Sequence, residues 1–140
     1  MKPITPLLAV DCAVFKGDRL LLIQRKNEPF KNWYALPGGF VDVGETVEEA
    51  CKREMMEETS VNVTNLKLIG IYSNPKRDSR GHTVTIAFIG ETKSSKPKGG
   101  DDALTAQFVK GWKNLKMAFD QKQIVKDALA VKDKKTGFIR

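Results

Sequence analysis

Gly38-Gly39-Phe40-Val41-Asp42-Val43-Gly44-Glu45-Thr46-Val47-Glu48-Glu49-Ala50-Cys51-Lys52-Arg53-Glu54-Met55-Met56-Glu57-Glu58-Thr59-Ser60-Val61 is the stretch on which the reading of this 140-residue chain turns. Its middle is a helix. Thr46-Val47-Glu48-Glu49 is a capping box, in which the Thr46 hydroxyl accepts from the Glu49 amide while the Glu49 carboxylate reaches back to the Thr46 amide. The helix is predicted to run from Val47 to about Thr59, with Val47, Ala50, Cys51 and Met55 at helical spacing on the face that docks on a core. Glu54, Glu57 and Glu58 stand at i, i+3 and i+4, so their carboxylates leave one side of the helix as neighbours. Oxygen donors in that arrangement suit a hard divalent cation such as Mg²⁺, although a solvated acidic face shows the same pattern. Arg53 has two partners within reach, Glu49 one turn back and Glu45 just before the helix. Upstream, Leu36-Pro37-Gly38-Gly39 reads as a turn whose glycines let backbone carbonyls approach a metal or phosphate, and Phe40 to Val43 as a short strand.

Charge around this stretch differs from the rest of the chain. Residues 41–60 hold seven acids (Asp42, Glu45, Glu48, Glu49, Glu54, Glu57, Glu58) against Lys52 and Arg53, a net of −5 that leaves +12 on the other 120 residues of a +7 chain. Like charges a helical turn apart repel by roughly 0.2–0.5 kcal/mol per pair, so a dense acidic patch invites divalent counter-ions. The basic remainder suits a phosphate-bearing substrate. Lys93, Lys96, Lys98, Lys132, Lys134 and Lys135 are read more simply as solvated surface.

Further out, Leu7 to Phe15 and Arg19 to Gln24 read as strands joined by a Lys16-Gly17-Asp18 hairpin turn. The segment from Arg25 to Tyr34, with Pro29, reads as a loop. Leu66 to Tyr72, Thr83 to Ile89 and Leu104 to Trp112 read as strands, and Thr92 to Gly100 as a polar loop. Asp120 is expected to cap a final helix with Ile124, Val125, Ala128 and Leu129 as its buried stripe, and the tail from Lys132 to fray. Strands with two separated helices and no regular βαβ alternation define an α/β protein with a mixed sheet covered by helices. With 41% hydrophobic and 29% charged residues, one domain over 1–140 is expected. Apolar runs such as Leu7–Val10 and Leu20–Ile23 stop far short of the roughly 20 residues that cross a bilayer, so no membrane partner is expected. Asp11 interrupts the N-terminal apolar run and no small-residue cleavage site follows, so this segment is read as mature sequence. Cys12 and Cys51 have neither metal nor redox spacing and fit a reducing cytoplasm.

Gly39, Glu45 and the run Arg53 to Val61 together resemble the Nudix box, G-x5-E-x7-R-E-U-x-E-E-x-G-U with U aliphatic. One position departs: Ser60 stands where the family carries Gly, and a left-handed helix end there costs Ser up to about 1 kcal/mol. The resemblance implies an α/β/α sandwich with a mixed sheet, Mg²⁺ or Mn²⁺ as cofactor, and hydrolysis of a nucleoside diphosphate linked to another group. By the same resemblance Glu54, Glu57 and Glu58 are the metal ligands, helped by the Gly38 carbonyl, or one of the three orients the attacking water. Glu45 and Arg53 complete the catalytic set by fixing the helix against the preceding loop. A base or extra ligand from a later loop is found in some members; Asp101 and Asp102 are the candidates here, with a solvated turn as the other reading.

Arg77-Asp78-Ser79-Arg80-Gly81-His82 is similar to a segment of the small ADP-ribose pyrophosphatases of that family, and Met117-Ala118-Phe119-Asp120 to their C-terminal region. Substrate contacts are expected from Arg25, Arg77 and Arg80, whose guanidinium groups give planar paired donors to phosphate or ribose. An exposed hairpin turn accounts for Arg77 and Arg80 about as well. Trp33, Tyr34 and Phe30 are placed to stack on a base or to plug the core. His82 is read as bonding locally at a strand start. The leading expectation is a small nucleotide substrate, ADP-ribose, converted with water to AMP and ribose 5-phosphate. The second is MutT-like hydrolysis of dNTPs, oxidised ones included. A third, a non-catalytic nucleotide- or nucleic-acid-binding module, is opposed by the intact carboxylate set and the lack of a compact arginine-rich stripe. The resemblance also makes a homodimer the expected assembly.

Overall fold

The computed structural model describes residues 2–100, 103–133 and 136–140. β1 (Leu7–Lys16) and β2 (Arg19–Arg25) form the expected hairpin, with Gly17 in the left-handed region at φ +57°. β1 is the hub of the sheet. It runs antiparallel to β4 (Gly38–Phe40) through Ala9–Asp11 and parallel to β6 (Thr83–Glu91) from Leu7 to Val14. β5 (Thr64–Tyr72) pairs antiparallel with β6 and parallel with β8 (Phe138–Ile139), while β2 lies antiparallel to β3 (Tyr34–Ala35) and β7 (Ala103–Val109). The sheet is therefore mixed, as the scattered strand pattern requires.

Two helices cover it from opposite sides because the β1 side chains alternate. Val10, Cys12 and Val14 face α1 (Val47–Thr59), packing with Ala50, Cys51 and Met55. Ala13, with Leu20 and Leu22 of β2, faces α2 (Gln121–Lys132), packing with Ile124, Val125, Ala128 and Val131. Each fully buried Leu, Ile or Met contributes roughly 1.5–3 kcal/mol, so these two layers hold the α/β/α sandwich together.

The helix ends are set locally. The Glu49 amide donates to Thr46 Oγ1 and the Thr46 amide to Glu49 Oε1, both at 3.1 Å, which closes the capping box. Ser60 ends α1 at φ 58° and ψ 25°, donating its amide to the Met56 carbonyl at 3.0 Å, so the serine takes up the left-handed cap itself.

Four local expectations are corrected. The strand expected at Phe40 to Val43 is instead β4, and both glycines lie inside it. They are there for strand proximity: a Cβ on Gly38 would run into the Val10 carbonyl and the Asp11 carboxylate. The strand expected to reach Trp112 ends at Val109, followed by a 3₁₀ turn at Trp112–Asn114. Asp120 does precede α2, yet its side chain makes no capping bond and pairs with Arg77 instead. In α2, Leu129 is only half-buried, whereas Val131 and Asp127 are buried.

Within the described residues 136–140, Phe138–Ile139 form β8. Arg140 donates to the buried Asp127 carboxylate at 2.7 and 2.8 Å, beside the Tyr72 hydroxyl at 2.7 Å and Gln123 at 2.9 Å. Burial disfavours that carboxylate, but the bonds from Arg140, Tyr72 and Gln123 outweigh it and hold its pKa below the ordinary value.

Candidate active site

α1 and β4 build one wall of a cavity of about 360 Å³. Glu54, Glu57 and Glu58 line it with Gly38 and Gly39. Glu58 is buried, and its Oε1 accepts from the Gly38 amide at 2.9 Å. Gly39 lies so close to Glu54 that an added Cβ would meet its carboxylate. Burial raises the Glu54 pKa, against the pull of Arg53.

Arg53 is the node of this wall. It grips Glu45 with Nε at 3.0 Å and Nη2 at 2.6 Å, and also reaches Glu54 at 2.8 Å, Glu57 at 3.2 Å and the Phe40 carbonyl at 2.9 Å. Of the two partners open to it, Glu45 is the one it takes, because the Glu49 carboxylate is spent on the capping box. The bond from Arg53, then that from the Asp42 amide, holds Glu45 down at about 2. The bond to Glu45 in turn raises Arg53 further, so this pair stays charged throughout the working pH range.

The oxygen donors on this wall match a hard cation in kind. In the arrangement described, Glu54 and Glu57 turn to Arg53 and Glu58 to Gly38, and among the described residues no three His, Cys, Asp or Glu side chains are grouped as a ready cation cage.

A second part of the lining is cationic and aromatic. Arg25 and Arg80 line the cavity and place their guanidinium groups 5.1 and 5.6 Å from the centre of the Phe119 ring. Phe119 itself leans on Phe30 at 4.9 Å. Arg80 is also paired with Asp78 at 2.9 Å. Arg77 lines the cavity but is engaged in the fold: it donates to both oxygens of Asp120 at 2.9 and 2.8 Å, to Thr85 Oγ1 at 2.6 Å and to the Thr83 carbonyl at 3.3 Å. Burial works against its charge, but Asp120 more than compensates and its pKa rises. Arg77 thereby ties the segment before β6 to the start of α2.

Trp33 and Tyr34 are placed outside the cavity lining. Trp33 packs on Phe30 at 5.0 Å with Lys116 over its ring, and Tyr34 belongs to β3 against the α2-side core. Phe40 and Phe119 are the aromatic residues of the lining instead. Asp101 and Asp102 lie outside the described residues. His82 contacts the Ser73 carbonyl through Nε2 at 2.9 Å, a local bond at the strand start.

Sequence reasoning also passed over Asp11, which lines the cavity floor from β1 at 9% exposure. Its signal was present, since one acid interrupts an otherwise apolar strand. Burial raises its pKa to about 7, against the nearby Arg77 and Arg25.

Residues 5–133 match the model of the NUDIX domain, and the chain belongs to the Nudix family. It is 48% identical over 128 residues to an ADP-ribose pyrophosphatase of Methanocaldococcus jannaschii, an alignment covering 91% of this chain and 76% of that protein. It is 31% identical over 147 aligned positions to an ADPR-responsive transcriptional repressor of Acinetobacter baylyi, covering 96% of this chain but 57% of the repressor. The NUDIX domain of Shewanella oneidensis NrtR, solved in complex with ADP ribose, superposes with a TM-score of 0.84 at 26% identity, over 91% of this chain and 89% of that one.

Proposed function

We propose that the protein hydrolyses ADP-ribose to AMP and ribose 5-phosphate. The observation that carries this reading is a single cavity in which the box carboxylates Glu54, Glu57 and Glu58 face arginines and an aromatic ring. The 48% identical archaeal pyrophosphatase and the ADP-ribose complex of the Shewanella domain support the choice of substrate.

Glu54, Glu57 and Glu58, with the Gly38 carbonyl, would hold Mg²⁺ or Mn²⁺. When bound, such ions neutralise the pyrophosphate and acidify a water. Glu58 is held in place by the Gly38 amide and Glu54 by Arg53, which itself is locked by Glu45. To take an ion, these carboxylates exchange their contacts with Arg53 and the Gly38 amide for it, while the Glu45–Arg53 pair keeps α1 against the preceding loop. Arg25 and Arg80, kept beside Phe119, present positive charge to the diphosphate. In the reaction, a water oxygen joins one phosphorus, the bridging P–O bond breaks, and two phosphate monoesters leave.

Phe40 and Phe119 border the cavity, Phe119 already beneath Arg25 and Arg80, and offer the apolar lining for a base or sugar. Free, buried Cys12 and Cys51 support a reducing, cytoplasmic setting, and no helix among the described residues is long and apolar enough to cross a membrane. A homodimer belongs to this reading through the family likeness, and light scattering reads it directly.

A substrate panel with chromatographic identification of products tests the proposal. The expected outcome is metal-dependent release of AMP and ribose 5-phosphate. Cleavage of dNTPs to pyrophosphate with no turnover of ADP-ribose would move the protein to the MutT-like class. Tight ADP-ribose binding without turnover would mark a sensor.

A further inference from the structure

We propose that Asp11 is a specificity-determining residue of this cavity, its carboxylate accepting a hydrogen bond from a hydroxyl or amino group on a non-phosphate part of the substrate. The inference rests on the ADP-ribose reading above and deepens it.

Asp11 sits in the middle of β1, in register with Gly38 of β4 and Ala87 of β6. It shares its sheet face with Ala9 and Ala13, and with Thr85 one step along β6, so its carboxyl stands where the α2-side core opens into the cavity. Among the described residues the other two buried acids are bonded: Glu58 to the Gly38 amide, and Asp127 to Tyr72, Gln123 and Arg140. Asp11 is different. It interacts with Arg77, Asp120 and Arg25 only through space. Arg77 is not its partner, since that guanidinium donates to Asp120, Thr83 and Thr85.

The Asp11 side chain is nine-tenths buried and lines the cavity, no hydrogen-bond donor to it is found among the described residues, and no fully enclosed side-chain oxygen there lacks a partner, so its carboxyl oxygens open to the cavity. Whatever fills the cavity is placed to supply that donor. An ionised phosphate is no donor and is repelled by Asp11 in its carboxylate form. Sugar hydroxyls and an exocyclic amine are neutral donors, and ADP-ribose carries both. A site built to bond such a group rejects analogues lacking it, because its own buried polar atom is then left unpaired.

The test uses the full chain as wild type, Asp11→Asn and Asp11→Ala, with melting temperature, kcat and KM measured for each. Substrates are ADP-ribose, its inosine counterpart lacking the amine, and deoxy analogues lacking a hydroxyl on the nucleoside ribose or on the terminal ribose. Asp11→Ala is expected to raise KM for ADP-ribose about 10- to 100-fold, with a smaller change in kcat. One of the three analogues should lose a similar factor with wild type and lose nothing more with Asp11→Ala, which identifies the group that Asp11 reads. Both variants should melt at or above the wild-type temperature, because no side-chain hydrogen bond among the described residues depends on that carboxyl. An unchanged KM in Asp11→Ala, or a lower melting temperature with equal kcat losses on every substrate, overturns the proposal while leaving the ADP-ribose reading intact. A wild type that turns over no ADP-ribose overturns that reading, and the proposal with it.

Discussion

Replacing Gly39 by Ala separates the placement of one carboxylate from the stability of the fold. Gly39 lies in β4 with no left-handed backbone angle, so alanine is conformationally allowed there. Its Cβ would stand 2.5 and 2.6 Å from Glu54 Oε2 and Oε1, where ordinary contact begins near 3.4 Å. The carboxylate must therefore retreat by about 1 Å, and as the end of a flexible side chain it can do so. The fold pays for one loosened, partly exposed ion pair to Arg53, about 0.5–1 kcal/mol, or a melting shift of roughly 1–4 °C. Chemistry is less forgiving, since a misplacement near 1 Å costs about 100-fold in rate. The assay is AMP release from ADP-ribose beside a thermal melt. Gly38→Ala is the contrast, because its Cβ meets the Val10 carbonyl, which is backbone and cannot yield, so this variant should lose stability first. Wild-type turnover by Gly39→Ala would refute the placement of Glu54 as a working ligand.

Glu54→Gln and Glu58→Gln are expected to keep the fold and reduce turnover by about 10²-fold or more, and retained rates would refute their role. Ser60→Gly should raise the melting temperature by roughly 2–4 °C with unchanged kcat, because glycine holds the left-handed cap at about 1 kcal/mol less cost. Tyr72→Phe removes one bond to the buried Asp127 and should lower stability by about 1–2 kcal/mol, read by denaturant titration. Since Asp127 is a carboxylate with a lowered pKa, the stability it adds is full above its unfolded pKa near 4 and is lost as pH falls through its folded value. The melting difference between wild type and Arg140→Gln should accordingly shrink in acid, and a pH-independent difference would contradict that pairing.

α1 was legible because its signals are local: the capping box, the apolar spacing and the carboxylate trio all lie within a few turns of chain. The β1–β2 hairpin was legible for the same reason. What escaped depends on distant partners. Whether glycines sit in a turn or in a strand is decided by what lies across from them, and for Gly38 that is β1. The tail was expected to fray because nothing in its own sequence shows that Asp127, in α2, faces Tyr72 and takes Arg140. Arg77 lines the cavity, but its pairing with Asp120, far along the chain, has no local signal. One aromatic beside the cavity follows the same rule: Phe119 is set there by the corner before α2, while Trp33 and Tyr34, nearer the glycines in sequence, pack elsewhere.

The central claim is that Glu54, Glu57 and Glu58 bind divalent ions against a diphosphate. Crystals grown with Mn²⁺ and a slowly hydrolysed ADP-ribose analogue, examined by anomalous scattering, test it most directly. The account predicts peaks about 2.0–2.4 Å from oxygens of these glutamates and beside the diphosphate. Manganese bound only elsewhere, or a diphosphate seated in the cavity with these three carboxylates still turned to Arg53 and Gly38, would contradict it.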